Sequence, residues 1–378
     1  GVLPNPELSG SMEVPIDDTT GAITGLSLGL SFDLMDLITR PAERAAAKAD
    51  LNQVSMDLAW EEWQVAQAAR QQVFDAVFLE RQAELADAQE KALKENLRVL
   101  TDARKRRLVT ETERSAAESA YWQARTERLD LSTQLDTTRL GLLRMLGFPP
   151  EAALQIDPHD VPYAGFPDEI DAAGGAMPVP TTVDTTIARL PAVPPADSLL
   201  DQLEQRRIDL VALRYGYESQ DAALRASILR QFPSISIGLT GGQATDRVKT
   251  IGPTVAIRLP FLNHNQGEIA VARATREQLR QEYVARLFET RSLVRTLISR
   301  LTGLRSQLHN AEMSALSQRR LVAAYGVALD AGNADVLTYY SARKDLIDAE
   351  IAVVQFRQAL ASVTLALDTA TGGLLTTI

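Results

Sequence analysis

The chain has 378 residues, a formal net charge of −10 and no cysteine. Its acidic balance argues against a nucleic-acid partner, because no basic stripe exists to displace counterions from phosphates. The absence of cysteine excludes a disulfide framework, a thiol nucleophile and a cysteine-ligated metal. No run of 18 apolar residues occurs, so the sequence predicts no transmembrane helix.

The first predicted elements are two β-strands, at residues 7–16 and 23–34. Apolar and polar residues alternate in both segments with a period of two, and a polar loop joins them. Each segment is roughly 10 residues long, which suits a tilted strand that crosses a bilayer. The apolar face of the second strand consists of Leu26, Leu28, Leu30 and Phe32.

A very long helix is predicted next, over residues 41–106, with a length of about 99 Å. Pro41 lies near its start, where a missing N–H costs nothing. Thr110 and Glu113 then form a capping-box pattern, with Glu113 at the third helical position of a returning helix at 111–146. Apolar residues at heptad spacing predict coiled-coil packing of the long helix, through Phe78, Leu85, Ala92 and Val99.

A proline-rich segment, 148–197, separates this returning helix from the next one. It contains ten prolines between 149 and 195, so it cannot continue a helix and is expected on the outside of the assembly, at mid-height. Residues 198–230 then predict a single helix of about 50 Å. The helices 111–146 and 198–230 are each half as long as 41–106. Laid end to end, they match its length.

The strand pattern returns at residues 233–242 and 252–262. The apolar residues expected on one face are Ile235, Ile237, Leu239, Val255, Ile257 and Leu259. Two interpretations are open for these strands: hairpins with their apolar face against a helix, or strands whose apolar face contacts lipid. Lipid contact requires a closed barrel, which four strands cannot form, so several copies would have to share one. The great length of the predicted helices favours lipid contact.

A second long helix is predicted over 266–331, again about 99 Å long. Asn265 and Glu268 give it a capping-box pattern. After a break at 332–335, a helix of about 57 Å is predicted to return over 335–372, with Asp335 at its N-cap. The second long helix also has apolar heptads, at Leu287, Val294, Leu301 and Leu308 and at Leu297, Leu304 and Ala311.

These elements repeat one unit twice: a strand, a long helix, a tight turn and a returning helix. The first copy covers residues 25–147 and the second covers 252–372, with nearly equal spacing between strand and turn. By this duplication, a helix of roughly 30–40 residues should precede the first strand pair. We therefore predict that such a helix is missing from this numbering.

Short segments resemble the TolC-like family of outer-membrane efflux proteins. Residues 5–8 resemble the start of the family's first strand, and 232–236 resemble the third strand. Residues 190–210 resemble the start of its second repeat, with Ile208 where proline is usual. Residues 108–110 and 332–335 fit its two helical turns.

The resemblance implies a homotrimer whose four strands per subunit form a 12-stranded transmembrane barrel over a tube of helices. Such proteins are passive exit ducts of the bacterial outer membrane, with most of their mass in the periplasm. They work with a periplasmic adaptor and an inner-membrane transporter, catalyse no reaction and hold no cofactor. The expected segments are 5–34 and 232–262 in the membrane barrel, 41–147 and 266–372 as helical hairpins, 148–197 at the equator, 198–231 as a returning helix, and 373–378 as a tail.

The resemblance also implies functional positions at the two turns. The family narrows its channel with acidic residues at two positions just past the second turn, which Thr338 and Ser341 occupy here. A ring of acidic residues around a threefold axis would make the channel mouth acidic. The candidates for the constriction are Glu111, Glu113, Asp335, Thr338 and Ser341. The candidates for adaptor docking are Arg107, Leu108, Val109, Thr110, Gly332, Asn333 and Ala334.

Two rival functions fit parts of the sequence. A soluble periplasmic adaptor also has a long helical hairpin, but only one, and β-rich domains flank it. A coiled-coil scaffold leaves the alternating strands unexplained. The three histidines, in three different elements, give neither a metal site nor a catalytic triad, so the sequence predicts no enzyme. Drug efflux, metal efflux and type I secretion all fit the sequence.

Overall fold

The protein is mainly helical with one small sheet, as predicted. The computed structural model describes residues 5–16, 23–165, 195–201, 203–331 and 333–373. The strands are β1 Glu7–Glu13, β2 Gly25–Asp33, β3 Ser234–Gln243 and β4 Lys249–Arg258. The helices are α1 Met35–Lys105, α2 Glu111–Met145, α3 Ala196–Leu200, α4 Leu203–Arg206, α5 Ile208–Leu229, α6 Gln266–Asp330 and α7 Val336–Thr371, with a short 3-10 helix at Pro158–Asp160.

The chain divides into two compact units. One comprises Gly1–Trp60 and Arg207–Glu289, and contains the sheet. The other comprises Glu61–Arg206 and Thr290–Ile378, and contains both helical turns. Most of the proline-rich segment, the residue Gly332 and most of the predicted tail lie outside the described residues.

The four strands form one antiparallel sheet in the order β1-β2-β3-β4. The register keeps like residues on one face: Leu30 lies opposite Leu8 on β1 and Leu239 on β3, while Gly29 lies opposite Ser9 and Thr240. The pairing of β2 with β3 joins the two predicted hairpins into a single sheet. The outer edges of β1 and β4 have no partner strand within the described part of the chain.

Two strands, β1 and β4, have boundaries that differ from the prediction by three residues or more. β1 ends at Glu13 rather than at residue 16. β4 covers Lys249–Arg258 rather than 252–262, because a tight turn brings the chain back early. In that turn Arg247 has a φ of 74° and the Val248 N–H donates to Asp246 Oδ1 at 3.0 Å, so pairing begins at Gln243 with Lys249.

The first long helix begins earlier than the sequence indicated. The Met35 N–H donates to Asp33 Oδ1 at 2.8 Å, which satisfies one of the amide groups left free at a helix start. The helix therefore includes Pro41 in its interior instead of near its first position. Pro41 lacks the N–H that would reach the carbonyl of Leu37, so the prediction that this proline costs nothing was wrong.

The predicted helix 198–230 is three helices, α3, α4 and α5. The interruption before α5 is at Arg207, whose backbone is extended, with a ψ of 112°. Arg207 is buried; its Nε donates to Asp209 Oδ1 at 2.8 Å and its guanidinium lies 4.9 Å from the ring centre of Trp60. This buried pairing accounts for the break, since it holds Arg207 out of the helical conformation. Ile208 takes the first position of α5, where proline would be tolerated.

The capping box predicted for the second long helix does not form. Asn265 has a φ of 61° rather than the extended conformation of an N-cap. Its side-chain amide donates to the Ser227 carbonyl at 3.0 Å instead of accepting from the first turn of α6.

One helix, α7, is long and apolar enough by length and composition to cross a membrane. Length and composition alone do not make α7 a membrane span, so the absence of a transmembrane helix stays a prediction. In its most apolar window 44% of the residues are buried inside the protein. Ile351, Val354 and Leu365 of α7 belong to a core cluster with Phe78 of α1. This packing gives the apolar character of α7 a structural role.

The core of the second unit confirms most of the predicted heptads. Phe78, Leu85 and Ala92 of α1 are buried, and Val99 is half-buried. In α6, Val294, Leu297, Leu301, Leu304 and Leu308 are buried, whereas Leu287 and Ala311 are half-buried. Val161 and Ala164, which follow the 3-10 helix, join the cluster around Phe78. This end of the proline-rich segment therefore packs against helices of its own chain, and its expected place on the outside of the assembly stays a prediction.

Candidate functional site

The apolar face of the sheet is exposed. Of the ten residues expected to contact lipid, nine are exposed and Phe32 is half-buried. Leu28 is 56% exposed and Ile257 is 58% exposed, which is far above the exposure of core residues. A contiguous apolar surface of this kind marks an interaction site or a membrane contact. The interpretation in which this face packs against a helix is therefore wrong.

The opposite face of the sheet is lined by hydroxyl groups and glycines. The hydroxyls of Ser11 and Ser27 are 2.8 Å apart, and those of Thr240 and Thr254 are 2.7 Å apart. A Cβ at Gly29 would lie 2.7 Å from Ser9 Oγ, so any larger residue there would displace the Ser9 hydroxyl. The sheet therefore has one apolar face and one polar face.

The first helical tip, residues 102–114, is closed by a Schellman motif at the end of α1. The Leu108 N–H donates to the Ala103 carbonyl at 3.0 Å, and the Arg107 N–H donates to the Arg104 carbonyl at 2.9 Å. Arg107 takes the left-handed position of this motif, with a φ of 60°. At the ends of α2 and α7 the same position holds Gly147 and Gly372. An arginine here costs about 1 kcal/mol relative to glycine, because its Cβ crowds the backbone.

The start of α2 confirms the predicted capping box. The Glu113 N–H donates to Thr110 Oγ1 at 3.3 Å, and the Thr110 N–H donates to Glu113 Oε2 at 2.6 Å. The Thr110 hydroxyl also donates to Glu113 Oε2 at 2.8 Å, and the donations from the Thr110 backbone and hydroxyl lower the pKa of the Glu113 carboxyl. Glu111 accepts from Arg114 at 2.6 Å and from Arg104 at 3.2 Å, and these hydrogen bonds lower its pKa too. Both carboxylates are therefore engaged within the first tip.

The second helical tip, residues 330–341, is held differently. Asp335 lies at the N-cap of α7 with extended backbone, as predicted, but its side chain makes no capping hydrogen bond. The Asn333 N–H donates to the Ala328 carbonyl at 2.8 Å. Asn333 and Asp335 are exposed and Ala334 is half-buried, while the docking candidate Gly332 lies outside the described residues. The Asp335 carboxylate is thus not committed to the cap.

Thr338 and Ser341 line a shallow groove between α6 and α7. The groove has a volume of about 330 Å³ and is also lined by Leu321, Tyr325 and Asp345. Asp345 was not among the predicted residues; it lies one helical turn beyond Ser341, and that spacing could have identified it. The structure therefore brings Thr338 and Ser341 together beside an acidic residue.

The five constriction candidates lie on two different tips. Glu111 and Glu113 belong to the first tip, whereas Asp335, Thr338 and Ser341 belong to the second. Tyr340 of α7 is affected by the first hairpin, because the charges of Glu95 and Arg98 of α1 act on its hydroxyl. Partial burial, followed by the charge of Glu95, raises the pKa of the Tyr340 hydroxyl.

Two further features were missed from the sequence. Leu51, Val54 and Leu58 of α1 form an exposed apolar stripe in the first unit, and their spacing of three and four residues was a readable signal. In the second unit, buried polar residues recur every seven positions at Gln82, Gln89 and Asn96. Their hydrogen bonds include Gln82 to Gln358 at 3.0 Å and Gln89 to Asp348 at 2.8 Å, both on α7.

Comparison with known proteins shows what this chain is similar to in sequence and in fold. The model of the outer membrane efflux protein family matches residues 199–373. The resemblance to the TolC-like outer-membrane efflux family is confirmed. An outer-membrane location with a large periplasmic part, and a transport role in efflux, accord with that family. No curated protein sequence matches the chain.

Solved channels share the fold at low sequence identity. The outer-membrane channel OprN superposes with a TM-score of 0.75 at 14% identity, over 98% of this chain and 80% of OprN. VceC from Vibrio cholerae gives 0.71 at 15% identity, over 98% and 86% of the two chains. The open state of MtrE from Neisseria gonorrhoeae gives 0.72 at 16% identity, over 98% and 81%. At these identities the likeness establishes the fold.

The described residues offer no metal centre. Within 5–16, 23–165, 195–201, 203–331 and 333–373, no group of three or more His, Cys, Asp or Glu side chains is placed to hold an ion. What the structure presents instead are surfaces: an exposed apolar sheet face, a polar face behind it, and two tips with different charge.

Proposed function

We propose that three copies of this chain form a passive exit duct of a tripartite exporter in the outer membrane. Each copy contributes four strands to a shared barrel of twelve, and the helical tips dock a periplasmic adaptor and an inner-membrane pump. The apolar residues of the strands contact lipid. The duct carries out no chemistry and moves solute from the periplasm to the outside.

The observation that carries this proposal is the two-faced sheet with open edges. An apolar face beside a hydroxyl-lined face suits lipid on one side and water on the other. The free edges of β1 and β4 must be paired before such a sheet can enter a membrane, because hydrocarbon cannot hydrogen-bond to them. Pairing β4 of one copy with β1 of the next removes every edge, which four strands alone cannot do.

The exposed stripe of α1 supports the same assembly. Leu51, Val54 and Leu58 are each more than half exposed in the single chain. Their spacing fits a helix that packs against a neighbouring helix. A soluble adaptor or scaffold would leave both this stripe and the apolar sheet face in water, which does not favour those rivals.

Native mass spectrometry and planar-bilayer conductance of the purified full chain test the duct. We expect a mass three times that of the 41.3 kDa chain and a stable conductance. Glu113→Gln and Thr338→Asp test the constriction, with Thr338→Asn as the control that changes size without charge. Thr338→Asp should raise cation preference and Thr338→Asn should leave it unchanged. A non-conducting monomer would overturn the proposal.

A matched pair on β3 tests the lipid contact separately. Ile237→Arg places a charge on the apolar face and should block membrane insertion, at a cost of about 2–4 kcal/mol near the bilayer centre. Ser236→Arg places the same charge on the polar face and should insert normally. The readout is the fraction of protein that resists extraction from outer membranes by alkaline carbonate. Equal insertion of both variants would contradict the assignment of the faces.

A further inference from the structure

The first tip carries an excess of positive charge in an acidic protein. Residues 102–114 include five basic and three acidic side chains, although the whole chain has a net charge of −10. The second tip is the reverse: between Arg320 and Arg343 the charged residues are Asp330 and Asp335. The two tips therefore attract partners of opposite charge.

The acidic groups of the first tip are already engaged internally. Asp102 accepts from Lys105 at 2.9 Å, and Glu111 and Glu113 are held by Arg114 and by Thr110 as described above. The remaining positive charge is exposed. Arg106 and Arg107 are both exposed, and Arg107 makes no ion pair among the residues that the structure describes.

An apolar residue lies directly beside these cations. Leu108 is 72% exposed, and the Schellman motif and the capping box fix the backbone on either side of it. Arg107 is held in the left-handed conformation that glycine takes at the ends of α2 and α7. A backbone that violates a local preference at an exposed, unpartnered residue points to a functional contact.

We propose that the first tip binds the end of an adaptor's helical hairpin through acidic side chains that flank an apolar contact. This proposal rests on the proposed function and specifies the chemistry of the partner. Arg106 and Arg107 pair with Asp or Glu on the adaptor, while Leu108 packs against its apolar residue. Charge complementarity of this kind sets specificity and association rate.

An anionic lipid surface fits the tip less well. Lipid-binding segments carry clusters of about four to eight Lys or Arg residues; here the basic run 104–107 is at the lower end of that range, and acidic side chains at 102, 111 and 113 on either side of it reduce the net charge. A fixed backbone around a single exposed leucine suits a shaped protein partner better than a fluid surface. Lipid binding is therefore an outcome that the test must detect.

The test uses the full-length channel in detergent and three probes. The first is a designed two-helix hairpin whose tip carries Asp and Glu on either side of Leu, and the second is the same hairpin with Asn and Gln. The third is a vesicle containing phosphatidylglycerol. At 50 mM NaCl the acidic hairpin should bind about tenfold more tightly than the amide hairpin, and at 300 mM this preference should fall to about twofold.

Variants of the channel test which of its residues cause the preference for the acidic hairpin. Arg106→Gln with Arg107→Gln should abolish it, and Arg106→Glu with Arg107→Glu should reverse it in favour of a lysine-tipped hairpin. Arg225→Gln with Arg280→Gln removes the same charge from exposed positions of the first unit and should change nothing. Arg107→Gly keeps the backbone motif and should still weaken binding about threefold.

The outcomes separate this proposal from the proposed function. Equal binding of the acidic and amide hairpins overturns it, as does vesicle binding that depends on Arg106 and Arg107 while the hairpins do not bind. The same preparations are examined for conductance in bilayers. A wild-type channel that conducts but shows no preference overturns this proposal alone, whereas a non-conducting wild-type protein overturns the proposed function.

Discussion

The two helical tips have matching backbone plans but different chemistry. In each, a long helix ends in a tight turn and the next helix begins at an extended N-cap residue, Thr110 in one and Asp335 in the other. In the first tip, the side chains of Thr110 and Glu113 each accept a hydrogen bond from the other residue's backbone N–H, whereas Asp335 makes no side-chain capping bond. The first tip is basic and internally paired, and the second is acidic. One backbone plan can therefore present two surfaces for different tasks.

The difference also shows in how each tip is stabilised. The first tip is secured by local hydrogen bonds and ion pairs around α2, which partly offset the cost of Arg107. The second tip is tied to the hairpin by packing, since Ala342 is buried and the Tyr339 ring lies beside Gly326 of α6, 3.7 Å from where a Cβ on that glycine would be. We expect the first tip to respond more strongly to changes in its capping residues.

The largest expected effect comes from removing the N-cap of the first tip. Thr110→Ala should destabilise the first turn of α2 by about 1 kcal/mol, because the Glu113 N–H loses its acceptor and the Glu113 carboxylate loses the hydroxyl donor. Asp335→Ala is the matched change at the second tip and should cost less than about 0.5 kcal/mol. Amide hydrogen exchange at residues 111–114 and 336–339 measures both. Equal losses at the two tips would contradict the comparison.

A second effect at the same hydrogen bonds should appear on acidification. The pKa of Glu113 is below its ordinary value of 4.5 because Thr110 donates to the carboxylate. A carboxyl with a lowered pKa stabilises the fold above its unfolded pKa and loses that contribution as the pH falls through the folded pKa. Amide protection at residues 111–114 should therefore drop below about pH 4.5. The Thr110→Ala variant serves as the control, since its protection should show a smaller drop.

The smallest expected effect concerns the backbone of the first tip. Arg107→Gly should stabilise it by roughly 0.5–1 kcal/mol, because glycine adopts a positive φ without strain. The reverse change at the end of α2, Gly147→Arg, should cost about the same amount. No atom lies within 4 Å of a Cβ built on Gly147, so this cost reports backbone conformation alone. Hydrogen-exchange protection of the Leu108 and Phe148 amides, compared with the wild-type protein, measures both changes.

The sequence by itself determined the elements whose signals are local or periodic. Alternation gave the strands and their two faces, because successive side chains of a strand point to opposite sides. Heptad spacing identified the buried face of α1 at Phe78 and Leu85, and the pattern Thr110 to Glu113 identified a capping box that the structure contains. Each of these signals depends on residues within a few turns of one another.

Only the tertiary structure decided features that depend on distant residues. Arg207 breaks the predicted helix because it is buried against Asp209 and Trp60, and Trp60 is far away in the sequence. Asn265 fails as a cap because its amide bonds to Ser227 on another helix. The two strand pairs form one sheet because β2 pairs with β3, which lies about 200 residues later in the sequence. Such contacts produce no periodic pattern in the sequence, because the fold of the whole chain decides which residues meet in space.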